Sequence, residues 1–366
     1  MPLNDLLRPR MRGLLATAAV TVAASVAVAQ PHSASRTSQS AGQLVFDTLH
    51  ATSLERNRLG DSPNRALLVY LPPSYGHSPA RRYPVIYLLH GHASSLELWQ
   101  HFIPVRARMD SLVAAGAVRE MIIVMPDAEN ALGGSFYLNS ATTGDWDDFI
   151  AADLVRYVDA KYRTMARAES RGLAGISMGG YGALAVGMRH AGTVYDAVYA
   201  MSPCCADTLG VIPAPAVDLL AGVRSVSDAQ HLPHALQGML AFAAAASPDS
   251  LRAPLYLDLP YVRHGNDVER IPATVAEWNE RALRDMLPRY ARELKQLRGL
   301  GFEIGRSDEE VPPSSVVVLD TLLNAAGVPH SFELFDGTHM NRADARFTTR
   351  LLPFFSRTLE FDRPAR

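Results

Sequence analysis

The chain has 366 residues, with 35 lysines and arginines against 37 aspartates and glutamates, a formal charge of −2, 48% hydrophobic residues and two cysteines. This balance carries no basic footprint for nucleic acid, and the two cysteines add little. The length agrees with a single domain plus a leader; no internal repeat is present, and the one low-complexity tract is an alanine-rich patch at 241–246.

Residues 1–29 read as an export signal. Arg8, Arg10 and Arg12 precede an apolar run at 13–28, and Ala27-Val28-Ala29 is a small-x-small cleavage site. An uncleaved anchor is the alternative, against which stands a run that is alanine-rich and short for a membrane span. Cleavage removes three arginines and one aspartate and takes the formal charge from −2 to −4, with no stable membrane insertion expected afterwards. Residues 30–42, serine-rich from Ser33, form a flexible linker. Residues 44–52 and 66–71 then read as strands of an antiparallel opening to a domain spanning 43–362.

From residue 83 strand-like and helix-like stretches alternate. The strand-like runs are 83–89, 121–125, 172–176, 197–201, 302–305 and 332–335, which argues an α/β fold: a mostly parallel central sheet with helices on both faces. Between 205 and 302 the alternation fails. That stretch holds Pro213, Pro215, Pro233 and Pro248, an aromatic run at 255–261, and an amphipathic helix pair broken at Pro288. Leu283, Leu287, Tyr290, Leu294 and Leu297 recur there as one buried stripe. Residues 206–300 are therefore expected to be a cap-like insertion over the C-terminal edge of the sheet, where ligands bind in such folds; a separate small domain is the alternative.

The chemistry centres on Gly175-Ile176-Ser177-Met178-Gly179-Gly180, which follows a strand-like run and opens a helix of small residues. The glycines let strand and helix approach without Cβ clashes, and Ser177 is pushed into a strained, exposed turn where a serine becomes a nucleophile. A hydroxyl needs a base to take its proton as it attacks. His339, in Gly337-Thr338-His339 after the 332–335 run, is that candidate. An acid must hold one imidazole tautomer and stabilise the imidazolium. Asp308 comes first after the 302–305 run; Glu309 and Glu310 are expected to face solvent, and Asp336 is a competitor that shares a tight turn with the histidine. The order serine, acid, histidine is that of α/β-hydrolases, and the elbow supplies the Met178 amide as one donor to the developing oxyanion.

Other residues invite weaker readings. Trp146-Asp147-Asp148 opens a helix, and its acids suit a helix N-terminus better than a metal. Trp99 lines the pocket or packs in the core, with nothing in the sequence to choose. Tyr256 and Tyr261 are candidate substrate walls. Cys204 and Cys205 are adjacent, with Cα atoms about 3.8 Å apart, closer than the roughly 4.4–6.8 Å an unstrained bridge prefers. They read as two small buried residues past a strand, with a strained pair or a redox role near the site mouth as the alternative. No phosphate loop or Cys/His metal pattern is present, and hydrolysis by these groups requires no metal or other cofactor.

At these residues the chain resembles the esterase D and feruloyl esterase group of α/β-hydrolases, which also includes S-formylglutathione hydrolases and mycolyltransferases. The resemblance rests on Leu89-His90-Gly91, the 157–164 segment Tyr-Val-Asp-Ala-Lys-Tyr-Arg-Thr, the 175–183 elbow, Met201-Ser202-Pro203, Asp308 and Gly337-Thr338-His339, and covers roughly residues 65–360. It implies Asp308 as the acid, the His92 amide as second oxyanion donor, and His90 as a loop brace. It also implies a serine esterase acting on a small-molecule or glycan-linked ester through an acyl-enzyme on Ser177; with the signal pattern at 1–29, the expected enzyme is exported, periplasmic or secreted. Formylglutathione is set aside because that substrate is cytosolic. An acyltransferase of the mycolyltransferase type and a non-catalytic binding protein on the same fold are the alternatives. The resemblance does not specify the acyl group, the alcohol or the oligomeric state.

Overall fold

The computed structural model describes residues 41–207 and 212–362; the expected export signal and nearly all of the linker lie outside them. Eight strands form the main sheet: β1 (Gln43–His50), β2 (Asn64–Leu71), β3 (Val85–Leu89), β4 (Ile122–Pro126), β5 (Arg171–Ile176), β6 (Ala197–Met201), β7 (Gly299–Gly305) and β8 (Ser331–Phe335). Their order across the sheet is β1-β2-β4-β3-β5-β6-β7-β8. β1 pairs antiparallel with β2 and β2 with β4, as the opening of the sequence suggests, and every other pair is parallel. This is the mostly parallel sheet expected from the alternation, in the α/β-hydrolase arrangement that the resemblance implies.

The central strands are continuous apolar runs because both of their faces are covered. Successive side chains point to opposite faces of a strand. Val85, Tyr87 and Leu89 of β3 accordingly join a cluster with Leu173, Val198 and Phe302, while Ile86 and Leu88 join a second cluster with Ala174, Tyr199 and Phe355. Six helices matter for the site: α1 (Leu96–Phe102), α2 (Met178–Arg189), α3 (His234–Ala246), α4 (Pro272–Arg281), α5 (Leu283–Leu294) and α6 (Pro313–Ala325).

The long segment between β6 and β7 departs from expectation at its C-terminal end. α5 packs against α2 and α6, so it is a helix of the layer that covers the sheet. The break in the helix pair falls at Ala282, whose extended backbone (φ −65°, ψ 135°) ends α4 and starts α5, while Pro288 lies inside α5. A proline inside a helix costs about 3 kcal/mol. Burying Leu283, Met286, Leu287 and Leu294 on one stripe, at about 1.5–3 kcal/mol for each side chain, outweighs that cost.

One buried charge network holds the C-terminal ends of β7 and β8 together. Glu303 of β7 is fully buried and receives Arg346 Nη2 at 2.6 Å, Arg346 Nε at 3.0 Å and the Tyr199 hydroxyl at 2.5 Å. Arg346 also donates to Glu333 of β8 at 2.8 Å. A buried carboxylate is tolerable when paired and hydrogen-bonded in this way, and the network anchors the chain just beyond His339.

Candidate active site

Ser177 sits between β5 and α2 with φ 57° and ψ −118°, in the left-handed region that a serine rarely adopts. The flanking glycines make this turn possible. A Cβ on Gly175 would lie 2.2 Å from the Gly179 carbonyl oxygen, and one on Gly179 would lie 2.1 Å from that of Leu89. No other residue fits either position without displacing backbone. The Ser177 amide donates to the Met201 carbonyl at 3.0 Å, which pins the elbow to β6.

The acid and the histidine come from the two neighbouring strand ends. Asp308 follows β7 and His339 follows β8, and both are buried. His339 Nδ1 lies 2.8 Å from Asp308 Oδ2 and 3.0 Å from Oδ1. Asp308 Oδ1 also accepts the Glu310 and Val311 amides at 3.0 and 2.8 Å. Burial alone would raise the Asp308 carboxyl, but the His339 hydrogen bond and these amides outweigh it and hold the group below its ordinary value. For His339, burial opposes the imidazolium, yet the hydrogen bond and charge of Asp308, with the charges of Glu310 and Glu309, hold it above its ordinary value. His339 Nε2 is buried with no hydrogen-bond partner among the described residues, so no hydrogen bond joins it to Ser177.

Asp336 lies away from the histidine ring's hydrogen-bonding partners. Its side chain is 91% exposed and pairs with Arg306 on the surface. Glu309 and Glu310 are exposed, but to the cavity mouth. Glu309 accepts the His339 amide at 3.1 Å, and a Glu310 oxygen lies 3.5 Å from His339 Nε2 and 3.8 Å from His234 Nε2.

The loop after β3 runs alongside the serine. A Cβ on Gly91 would stand 3.5 Å from the Ser177 Cβ, which brings the following residue, His92, to the elbow. His90 braces this loop: its Nε2 accepts the Ala128 amide at 2.8 Å, so Nδ1 carries the proton and donates to the Gly91 carbonyl at 2.7 Å. Burial pushes the His92 imidazole down to about 4, leaving it uncharged at neutral pH. The Met178 amide is the first of α2 and has no intrahelical acceptor.

A cavity of 690 Å³ opens at Ser177, and Met178, His92, Glu309 and Glu310 also line it. Its apolar wall comes from Phe136 and from the segment between β6 and β7. His234, Gly238, Met239 and Phe242 fall on one face of α3, and Trp278 of α4 stands behind them. The rings meet edge to face, Phe136 to Phe242 at 5.0 Å and Phe242 to Trp278 at 4.9 Å.

Three expected wall residues lie elsewhere. Trp99 is 2% exposed and packs in the core cluster of Ile86 and Leu88, since α1 folds back onto the sheet after the His92 loop. Tyr256 packs against the Arg58 guanidinium at 5.4 Å, and its carbonyl accepts the Thr142 hydroxyl. Tyr261 is buried at the start of the hairpin Tyr261–His264 and Asp267–Arg270. None of the three lines the cavity. The walls contributed by α3 were hidden because that helix runs into the alanine-rich patch, and only the four-residue spacing of His234, Gly238 and Phe242 signals a shared face.

Asp147, next to Trp146, pairs with Arg189 and His190 at 3.1 and 3.0 Å, tying its helix to the end of α2. Asn139 caps the amides of Asp147 and Asp148 at 2.9 and 3.2 Å, in keeping with a helix-start role.

The family model described as Esterase, putative esterase, matches residues 60–297, more than half of the chain. The chain belongs to this esterase family. Among characterised relatives, an esterase of Mycobacterium tuberculosis is 34% identical over 134 residues, covering 35% of this chain and 27% of that protein. An endo-1,4-beta-xylanase/feruloyl esterase of Xylanibacter ruminicola is 33% identical over 122 residues, covering 31% of this chain and 16% of that protein. The matches thus span less than a third of these longer relatives. Among solved structures, a ferulic acid esterase superposes with a TM-score of 0.62 at 24% identity, over 87% of this chain and 99% of that one. An S-formylglutathione hydrolase of Staphylococcus aureus gives 0.56 at 16% identity, over 87% and 100%. Both carry the α/β-hydrolase fold of this esterase-family chain. Among the described residues no helix is long and apolar enough to cross a membrane.

Proposed function

We propose that the chain is an exported serine esterase that forms an acyl-enzyme on Ser177, with His339 as base and Asp308 as the acid that orients it. The observation that carries this reading is the Asp308–His339 pair at 2.8 Å, beside a cavity lined by a serine at φ 57°. Asp308 accepts a hydrogen bond from the protonated Nδ1, which leaves Nε2 as a lone-pair acceptor. Nε2 takes the Ser177 proton as the oxygen attacks the acyl carbon, and later returns it to the departing alcohol. The hydrogen bond from Ser177 to Nε2 closes when substrate binds, as catalytic contacts often tighten only in the substrate complex. The Met178 and His92 amides receive the oxyanion, each typically worth about 2.7–4 kcal/mol. Water then attacks the acyl-enzyme by the same relay.

The aromatic wall of Phe136, Phe242 and Trp278 favours an ester with an aryl or bulky apolar group, in line with the feruloyl esterase named among the relatives. Purified protein should turn over hydroxycinnamoyl esters faster than short acyl esters, with hydrolysis exceeding transfer to an added alcohol. Transfer exceeding hydrolysis would replace this reading with an acyltransferase. Phe242→Ala should change the ratio of kcat/KM between aryl and alkyl esters by about tenfold or more, because the apolar contacts of a pocket discriminate by about 1–3 kcal/mol each. Tyr256→Ala should leave that ratio unchanged; the reverse result would return the aromatic run to the pocket.

The proton relay also sets a pH dependence. The imidazole must be uncharged to act as base, so kcat/KM falls as pH drops through the His339 value, which stands above the ordinary one. Of the carboxylates that raise it, Asp308, Glu310 and Glu309, only Glu310 can be neutralised without touching a hydrogen bond to the histidine. Glu310→Gln should therefore move the acid limb of the kcat/KM profile to lower pH with little change on the plateau. An unmoved limb would mean that His339 does not govern it. Export is tested by N-terminal sequencing of the mature protein, expected to begin at Gln30.

A further inference from the structure

The cavity wall holds the chain's only two cysteines, which the ester chemistry does not use. Adjacent side chains along an extended strand point to opposite faces. Here Cys205 has φ 55°, in the left-handed region, and the turn brings the two sulfurs to the same side, with Cys205 Sγ donating to Cys204 Sγ at 3.1 Å. Both residues are partly exposed and both line the cavity with Ser177. Their backbone is fixed from two directions. The Cys204 amide donates to the Ser177 carbonyl at 3.3 Å, and the Cys205 carbonyl accepts the Leu283 amide at 3.1 Å.

We propose that Cys204 and Cys205 form a dithiol binding site for three-coordinate trivalent arsenic compounds, opening on the catalytic cavity so that its occupation excludes the ester. Thiols are soft donors and select soft acceptors. Among the described residues no third His, Cys, Asp or Glu donor joins the pair, so a four-ligand zinc site is not served. An organoarsenic centre that already carries one carbon needs only two sulfurs. Binding of an arsine oxide is balanced without redox change: two As–S bonds form, the As=O bond breaks, and both thiol protons leave with that oxygen as one water.

The reduced full chain treated with phenylarsine oxide should gain one adduct, less one water, by intact mass. With only two cysteines in the chain, the adduct reports this pair alone. It should withstand excess monothiol, be stripped by 2,3-dimercaptopropanol, and reduce ester turnover by about tenfold or more, reversibly, as the occupied cavity closes. Cys204→Ser and Cys205→Ser should each lose the monothiol-resistant adduct and keep turnover under arsenical, relative to each variant's own untreated rate. No adduct, an adduct removed by monothiol, or full turnover with the adduct in place would overturn the proposal. The mass readout needs no esterase activity, so its failure is distinct from failure of the functional reading, and the monothiol and dithiol comparison on the unmodified chain decides the matter even if a variant does not fold.

Discussion

Ser177→Ala should lower kcat for ester hydrolysis on the order of 10⁶-fold, the scale of nucleophile loss in a triad enzyme. The substitution removes one oxygen and keeps the Cβ, so it places nothing new in the crowded turn between Gly175 and Gly179. The amide hydrogen bond to Met201 and the start of α2 involve only backbone and stay in place. Melting temperature should therefore remain close to that of the parent chain while turnover disappears. Retention of more than about a tenth of the activity, far above the residual rate left by nucleophile removal, would end the serine mechanism.

Asp308→Asn should cost on the order of 10⁴-fold in kcat by selecting the wrong imidazole tautomer. The surroundings of Asp308 explain why the amide cannot adapt. Oδ1 accepts the Glu310 and Val311 amides, so an asparagine keeps its oxygen there and turns its NH₂ toward His339. At the 2.8 Å site now held by Oδ2, a donor would face Nδ1 and force that nitrogen to accept. The ring proton then sits on Nε2, which can no longer take a proton from serine. Asp336→Asn, at a surface carboxylate paired with Arg306, should leave kcat unaltered. The opposite pattern in these two variants would reassign the acid.

Much of this arrangement was legible before any coordinates. The parallel strands announce themselves as apolar runs because both faces of such a sheet are covered, and β6 has the bounds read from its sequence. The glycines of the elbow encode a backbone contact, the approach of Gly179 to the Leu89 carbonyl, that only a missing Cβ permits. The order of serine, acid and histidine along the chain becomes three nearby strand ends, those of β5, β7 and β8 with only β6 between, because β5 to β8 stack in sequence order. The stripe on α5 was visible as a repeat of three and four residues, although the helix runs straight through the proline that was expected to break it.

The sequence alone therefore determined the strands, the elbow and the candidate catalytic residues, all features of contiguous segments with a periodicity or a steric requirement of their own. Tertiary structure decided which apolar surface each side chain meets. Trp99 had to be buried, but a sheet covered on both faces offers two equivalent destinations, and α1 takes the one away from Ser177. The aromatic run at 255–261 lost the cavity to α3, whose alanine-rich sequence masks its working face because nearly all sides of its C-terminal half are buried. Glu303 is tolerated inside the sheet only because Arg346, 43 positions later, reaches it. Glu310 faces the histidine, and the two thiols face the cavity, for the same reason. Local pattern governs how a segment folds, whereas contacts between segments distant in sequence depend on how the layers stack.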